Sequence, residues 1–159
     1  MFYGTETGFN TYHTMRGTDV TDATLVEEAL LVASEYIDNA YRSSWPGYKT
    51  GEREQVRDWP RSEAYDANGD WLDSAVVPIE VENATYELAL KHLSDSTALT
   101  KDYTPPKYTR ARVEGATDVN YAMYGSASDV QTQFLQVAKI LSNVVASSGT
   151  STLSGRATR

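Results

Sequence analysis

Between Asp22 and Arg42 the chain reads DATLVEEALLVASEYIDNAYR, and this run points to a mainly α fold. Val26, Ala29, Leu30, Ala33, Ile37, Ala40 and Tyr41 recur at helical spacing and form one apolar stripe. Leu25, Val32 and Tyr36 add a second stripe beside it. Thr21 is placed to cap the first turn, and Asp22 favours the positive end of the helix dipole. An apolar arc this wide predicts a helix that is buried centrally or shared with another subunit.

On the C-terminal side, a second helix is expected from Pro78 to about Ser94. Proline suits the first helical position, and Glu80 and Glu82 lie in the first turn. A third is expected from about Asp129 to Ala146, with Val130, Phe134, Val137, Ala138, Leu141 and Val145 on one face. Between them, after Pro105 and Pro106, Tyr108–Val113 and Val119–Met123 alternate around Gly115 and predict a small β-hairpin. Residues 43–77 form a long central loop that carries all three tryptophans, Trp45, Trp59 and Trp71. Loops of that length in compact domains are usually functional. Within it, Gly51–Arg57 suits a short helix and Asp66–Gly69 a tight turn.

At the ends, residues 1–19 are polar, rich in Gly and Thr, and read as an extended arm with aromatic anchors Phe2, Tyr3, Phe9 and Tyr12. The last residues, SSGTSTLSGRATR, have almost nothing to bury. The expected organisation is one helical domain over residues 1–147, with a C-terminal tail, 148–159, that becomes ordered only on assembly.

Composition narrows the function. The 159 residues are 40% hydrophobic, enough for a single core. The net charge is −8, which argues against a broad phosphate-binding face. Eleven tyrosines against three phenylalanines suit contact surfaces as well as cores. The absence of cysteine removes disulfides, zinc–thiolate sites and cysteine nucleophiles. Met1 runs into polar FYGTETGFN, so neither a signal peptide nor a membrane span is expected.

Catalytic constellations fail on spacing or residue type. His13 and His92 are the only histidines and sit far apart in the sequence. Asp66-Ala-Asn68-Gly69-Asp70 resembles the start of a calcium loop, but its glycine falls at position four and its twelfth residue is Val77. The carboxylate pairs Glu27–Glu28 and Glu80–Glu82 read as solvated helix faces. No enzyme activity, cofactor or metal is expected. Arg53, Arg57 and Arg61 around Trp59 are the best case for nucleic acid, since arginine beside an aromatic ring can stack on and pair with single strands. Glu52, Glu54 and Asp58 interleave with them, and the structural alternative is a Trp–Pro corner whose arginines sit in ion pairs.

Four motifs carry a resemblance. They are Tyr3-Gly4-Thr5 with Gly8-Phe9 and Arg16-Gly17; Ala33-Ser34-Glu35-Tyr36-Ile37-Asp38; Trp59-Pro60-Arg61 with the Asp66–Gly69 turn; and Pro78 leading into Ala84-Thr85-Tyr86-Glu87-Leu88-Ala89. In this order the chain resembles a phage family described as DnaT-like single-stranded-DNA-binding proteins. In helical order it is also similar to the head–tail adaptor (connector) proteins of long-tailed phages. The adaptor resemblance implies a structural virion protein: a homo-oligomeric, twelve-fold ring at the neck, with the portal above, a tail terminator or neck protein below, and double-stranded DNA in its lumen. Phe2, Tyr3, Phe9, Tyr12, Leu25, Val32, Tyr36, Trp59, Arg61, Leu153, Arg156 and Arg159 are its expected subunit or portal contacts. The other resemblance implies the alternative, single-stranded-DNA binding. The adaptor is the main expectation.

Overall fold

The computed structural model describes residues 1–18, 23–100, 110–113, 117–120 and 134–145. Its fold is mainly helical. Four helices occur among the described residues: α1 (Glu6–Thr14), α2 (Ala23–Tyr41), α3 (Ile79–Ser94) and α4 (Leu135–Leu141). Two small antiparallel sheets accompany them, β1 (Tyr48–Lys49) with β2 (Arg61–Ser62), and β3 (Arg110–Val113) with β4 (Thr117–Asn120).

The packing of α2 on α3 makes the body of the molecule. Val26, Ala29, Leu30, Ala33 and Ile37 are fully buried, as are Val81, Ala84, Leu88 and Ala89 of α3. Alanines at the buried positions of both helices keep side chains short and let the backbones approach. The second stripe of α2 stays at the margin: Leu25 is half exposed, and Val32 and Tyr36 are partly buried. Helix α2 therefore buries a single face and leaves a partly wetted flank.

The N-terminal segment departs from the expected extended arm. Residues 6–14 form α1, capped by Thr5, whose hydroxyl accepts a hydrogen bond from the Gly8 amide (3.0 Å). Helix propensity is weak here, and tertiary packing overrides it. The ring of Tyr86 from α3 lies against the backbone: a Cβ at Gly4 would sit 2.4 Å from its hydroxyl, and one at Gly8 2.3 Å away. The two glycines thus provide close approach rather than flexibility. Phe9 and His13 bury one turn apart, His13 Nε2 lies 3.0 Å from the Tyr86 carbonyl oxygen, and Tyr12 donates to Glu87 (2.9 Å). Burial and that bond push the Tyr12 hydroxyl up to about 12.

The C-terminal helix is shorter than the expected 129–146 span. It stops at Leu141, and the chain turns so that the amides of Val144 and Val145 both bond the Leu141 carbonyl (2.9 Å each). Asn143 explains the turn: its carbonyl accepts from Ala67 (2.7 Å), and its side chain donates to Glu80 (3.0 Å) and Asp66 (3.4 Å). Residues 129–133 and 146 lie outside the described residues, as does the tail with Leu153, Arg156 and Arg159. The hairpin pairs Arg110 with Asn120 and Val113 with Thr117, so its second strand starts two residues before the expected Val119. Tyr108 and Tyr121–Met123 lie outside the described residues.

Candidate nucleic-acid interface

The central loop folds into a module clamped onto α2. Its anchor is Trp59, fully buried and edge-on to Trp45 at 5.6 Å, with Trp45 in turn 5.7 Å from Tyr41. The Trp59–Pro60 peptide is cis. Gly47, at φ +60°, lets the chain pass Ser62, whose carbonyl would lie 2.1 Å from any Cβ there. The expected helix over 51–57 is only a 3₁₀ turn, Glu52–Glu54. The Asp66–Gly69 turn forms as expected: Asp66 Oδ1 accepts from the Asn68 (2.8 Å) and Asp70 (2.9 Å) amides. Those bonds, Asp70 first, hold the Asp66 carboxyl below the usual aspartate range.

A polar clasp joins this module to α2 and the N-terminal segment. Arg57 donates from Nε to the Met1 carbonyl (2.8 Å) and from Nη1 to Asp38 (3.3 Å), with Glu35 at 3.6 Å. The Tyr3 hydroxyl donates to Asp38 and accepts from the amides of Asp58 (3.0 Å) and Trp59 (3.1 Å). Burial, with Asp38 beside it, drives the Tyr3 hydroxyl well above its ordinary pKa. Asp38 is itself raised by burial, against the opposing pull of the Tyr3 bond. Asp58, also buried, pairs with Lys49 (2.9 Å) and Arg42 (3.4 Å). Arg61 donates to the carbonyls of Pro46 (2.6 Å), Gly47 (2.6 Å) and Asp58 (3.2 Å), and burial lowers its pKa.

Arg57 and Arg61 are therefore structural. They are 5% and 8% exposed, and their donors point at this chain's own carboxylates and carbonyls. Neither is free to hold a phosphate, and Trp59 cannot stack on a base. Of the Arg–Trp cluster in the sequence, Arg53 alone stands exposed, in the 3₁₀ turn.

The expected contact residues are likewise scattered by the fold. Tyr3, Phe9, Trp59 and Arg61 are buried within this chain, and Phe2, Tyr12, Val32 and Tyr36 are partly buried. Leu25 is the exposed one among those described. The aromatic anchors read as reaching out to another subunit thus hold the protein's own core together.

A different set of rings faces solvent. Tyr48, Tyr65 and Trp71 are 55%, 52% and 56% exposed, and are the exposed aromatics among the described residues. All three belong to the central loop. Tyr65 and Trp71 face each other across an antiparallel bridge, rings edge-to-face at 5.5 Å and 83°. The bonds Asp66 N to Asp70 O (2.9 Å) and Leu72 N to Ala64 O (3.0 Å) brace the bridge. The clustering of tryptophan in one long loop was the available signal, but it does not say which tryptophan faces out. Among the described residues, no group of three or more His, Asp or Glu side chains is placed to hold a metal ion, and no helix is long and apolar enough to cross a membrane.

Residues 3–159 match the family described as "Putative DnaT-like ssDNA binding protein". No curated protein and no solved structure matches the chain. The match corrects the main expectation. The family is described by single-strand binding and not as head–tail adaptors, so the dodecameric ring, the portal and tail partners and the duplex-filled lumen are set aside, and with them the grounds for placing the chain in a virion neck. By a match that spans nearly its whole length, the chain belongs to the DnaT-like single-stranded-DNA-binding protein family.

Proposed function

We propose that this protein binds single-stranded DNA without catalysing a reaction on it, and that residues 1–147 act as one binding domain. The family match over residues 3–159 carries this reading. The structure supports a binding role in one respect: it keeps exposed aromatic rings on a braced loop, and a base stacked on such a ring is worth about 1–3 kcal/mol whatever its sequence. The buried arginines supply no counter-argument, because they are committed to the clasp.

The test is fluorescence anisotropy with a labelled oligothymidylate and the corresponding duplex in low salt. Saturable binding that favours the single strand is the expected result. No binding to the single strand, or tighter binding to the duplex, overturns the proposal.

A further inference from the structure

Resting on the single-strand reading above, we infer that the rings of Trp71 and Tyr65 form the base-binding platform, with Tyr48 exposed in the same module and bonded to Glu63, and that this platform holds unpaired bases far more than it holds phosphates.

Three observations lead there. First, exposure: every other aromatic ring among the described residues is at least partly buried, whereas these three are more than half open. Second, preorganisation: the Tyr65–Trp71 bridge and its flanking bonds hold the backbone of both residues, and the rings already touch edge-to-face, which reduces the ordering cost of binding. An edge-to-face pair also leaves ring surface uncovered for an incoming base. Third, charge: Glu63, Asp66, Asp70 and Asp73 flank the rings in sequence. Of the cations in and beside the module, Arg57 and Arg61 are buried, Lys49 and the exposed Arg42 both pair with Asp58, and Arg53 stands exposed. A strand held here gains little from phosphate contacts, so the bases must carry the affinity. A duplex hides its base faces in the stack and so offers this platform nothing. Selectivity for single strands then follows without a basic groove.

The salt dependence separates this mode from an electrostatic one. For single strands, log K falls with log salt by about 0.7 for each phosphate neutralised. Even with Arg42 released from Asp58, Arg42 and Arg53 together set a slope for this platform no steeper than about −1.4. The experiment uses the full chain, its Trp71→Ala and Tyr65→Ala variants, an oligothymidylate, and an abasic oligonucleotide that keeps the phosphates and lacks the bases. Circular dichroism checks that the variants remain folded; both side chains are exposed, so folding should be retained. The expected results are wild-type binding to the oligothymidylate with a shallow salt slope, loss of binding to the abasic strand, and weakening by roughly 5- to 150-fold in Trp71→Ala. Equal affinity for the abasic strand, a slope well beyond −1.4, or unchanged binding by both folded variants overturns the platform while leaving single-strand binding intact. Failure of the wild-type protein to bind either strand overturns the single-strand reading itself, and the platform with it.

Discussion

Replacing Tyr3 with Phe removes one oxygen from the clasp and tests whether that clasp holds the loop module to the helices. The Tyr3 hydroxyl donates to Asp38 and accepts from Asp58 N (3.0 Å) and Trp59 N (3.1 Å). In the variant the Asp58 amide keeps Asp38 Oδ1 at 3.3 Å, but the Trp59 amide loses its acceptor. A buried amide left unpaired costs about 1–3 kcal/mol, and a lost hydrogen bond to a charged group about 1.5–3 kcal/mol. The expected loss is therefore about 2.5–6 kcal/mol, a large share of the roughly 5–15 kcal/mol that stabilises a typical domain. For a chain of this size that lowers Tm by roughly 5–24 °C. Urea unfolding followed by tryptophan emission measures it, since Trp45 and Trp59 are buried.

The variant also carries a pH signature. Burial raises Asp38 in the folded protein. A carboxyl raised on folding contributes stability below its unfolded pKa, and that contribution fades as pH rises through the folded pKa. The Tyr3 bond opposes this rise, so losing it moves Asp38 higher still. The cost of Tyr3→Phe should thus be greatest near neutral pH and shrink in acid as Asp38 protonates. A midpoint unchanged from wild type, or a cost that grows in acid, refutes the reasoning.

Gly4→Ala combines a left-handed backbone, φ +73°, with a Cβ 2.4 Å from the Tyr86 hydroxyl. Strain of about 1–2 kcal/mol and overpacking of about 1–3 kcal/mol should lower stability by roughly 2–5 kcal/mol in a chemical-denaturation curve. Arg57→Met leaves Asp38 and the Met1 carbonyl without their guanidinium, and breaking a buried pair should cost about 3–5 kcal/mol by the same measure. Whatever fraction of that variant remains folded should bind oligothymidylate with wild-type affinity, as read by anisotropy. The Asn68 and Asp70 amide resonances should titrate together with Asp66, below the ordinary aspartate range, because both amides donate to its carboxylate. The turn is thus held above the unfolded pKa of Asp66 and loosens as pH falls through its lowered folded value.

The helical body was readable because its signal is periodic. Val26, Leu30, Ala33 and Ile37 on α2, and Val81, Ala84 and Leu88 on α3, repeat at the spacing that one buried face requires. Helix α1 was hidden because its stabilisation comes from Tyr86, remote in sequence, and because Gly4 and Gly8 look like flexibility when they serve close packing. The second stripe of α2 was not resolvable in the sequence, since a pattern of apolar residues cannot separate a half-exposed Leu25 from a buried Leu30. The Trp-Pro-Arg corner forms as its structural reading expects, with Trp59 buried and Arg57 in ion pairs, but nothing in the motif says that the exposed ring is Trp71. Hydropathy alone cannot tell a tryptophan that anchors a loop from one that the loop presents.

Photocrosslinking tests the central claim most directly. The full chain is irradiated with a single-stranded oligonucleotide carrying halogenated uracil, digested with trypsin, and mapped by mass spectrometry. Adducts should fall on Tyr65 and Trp71, within the tryptic peptide that runs from Ser62 to Lys91. Absence of any adduct, or adducts confined to the four helices, would contradict the account.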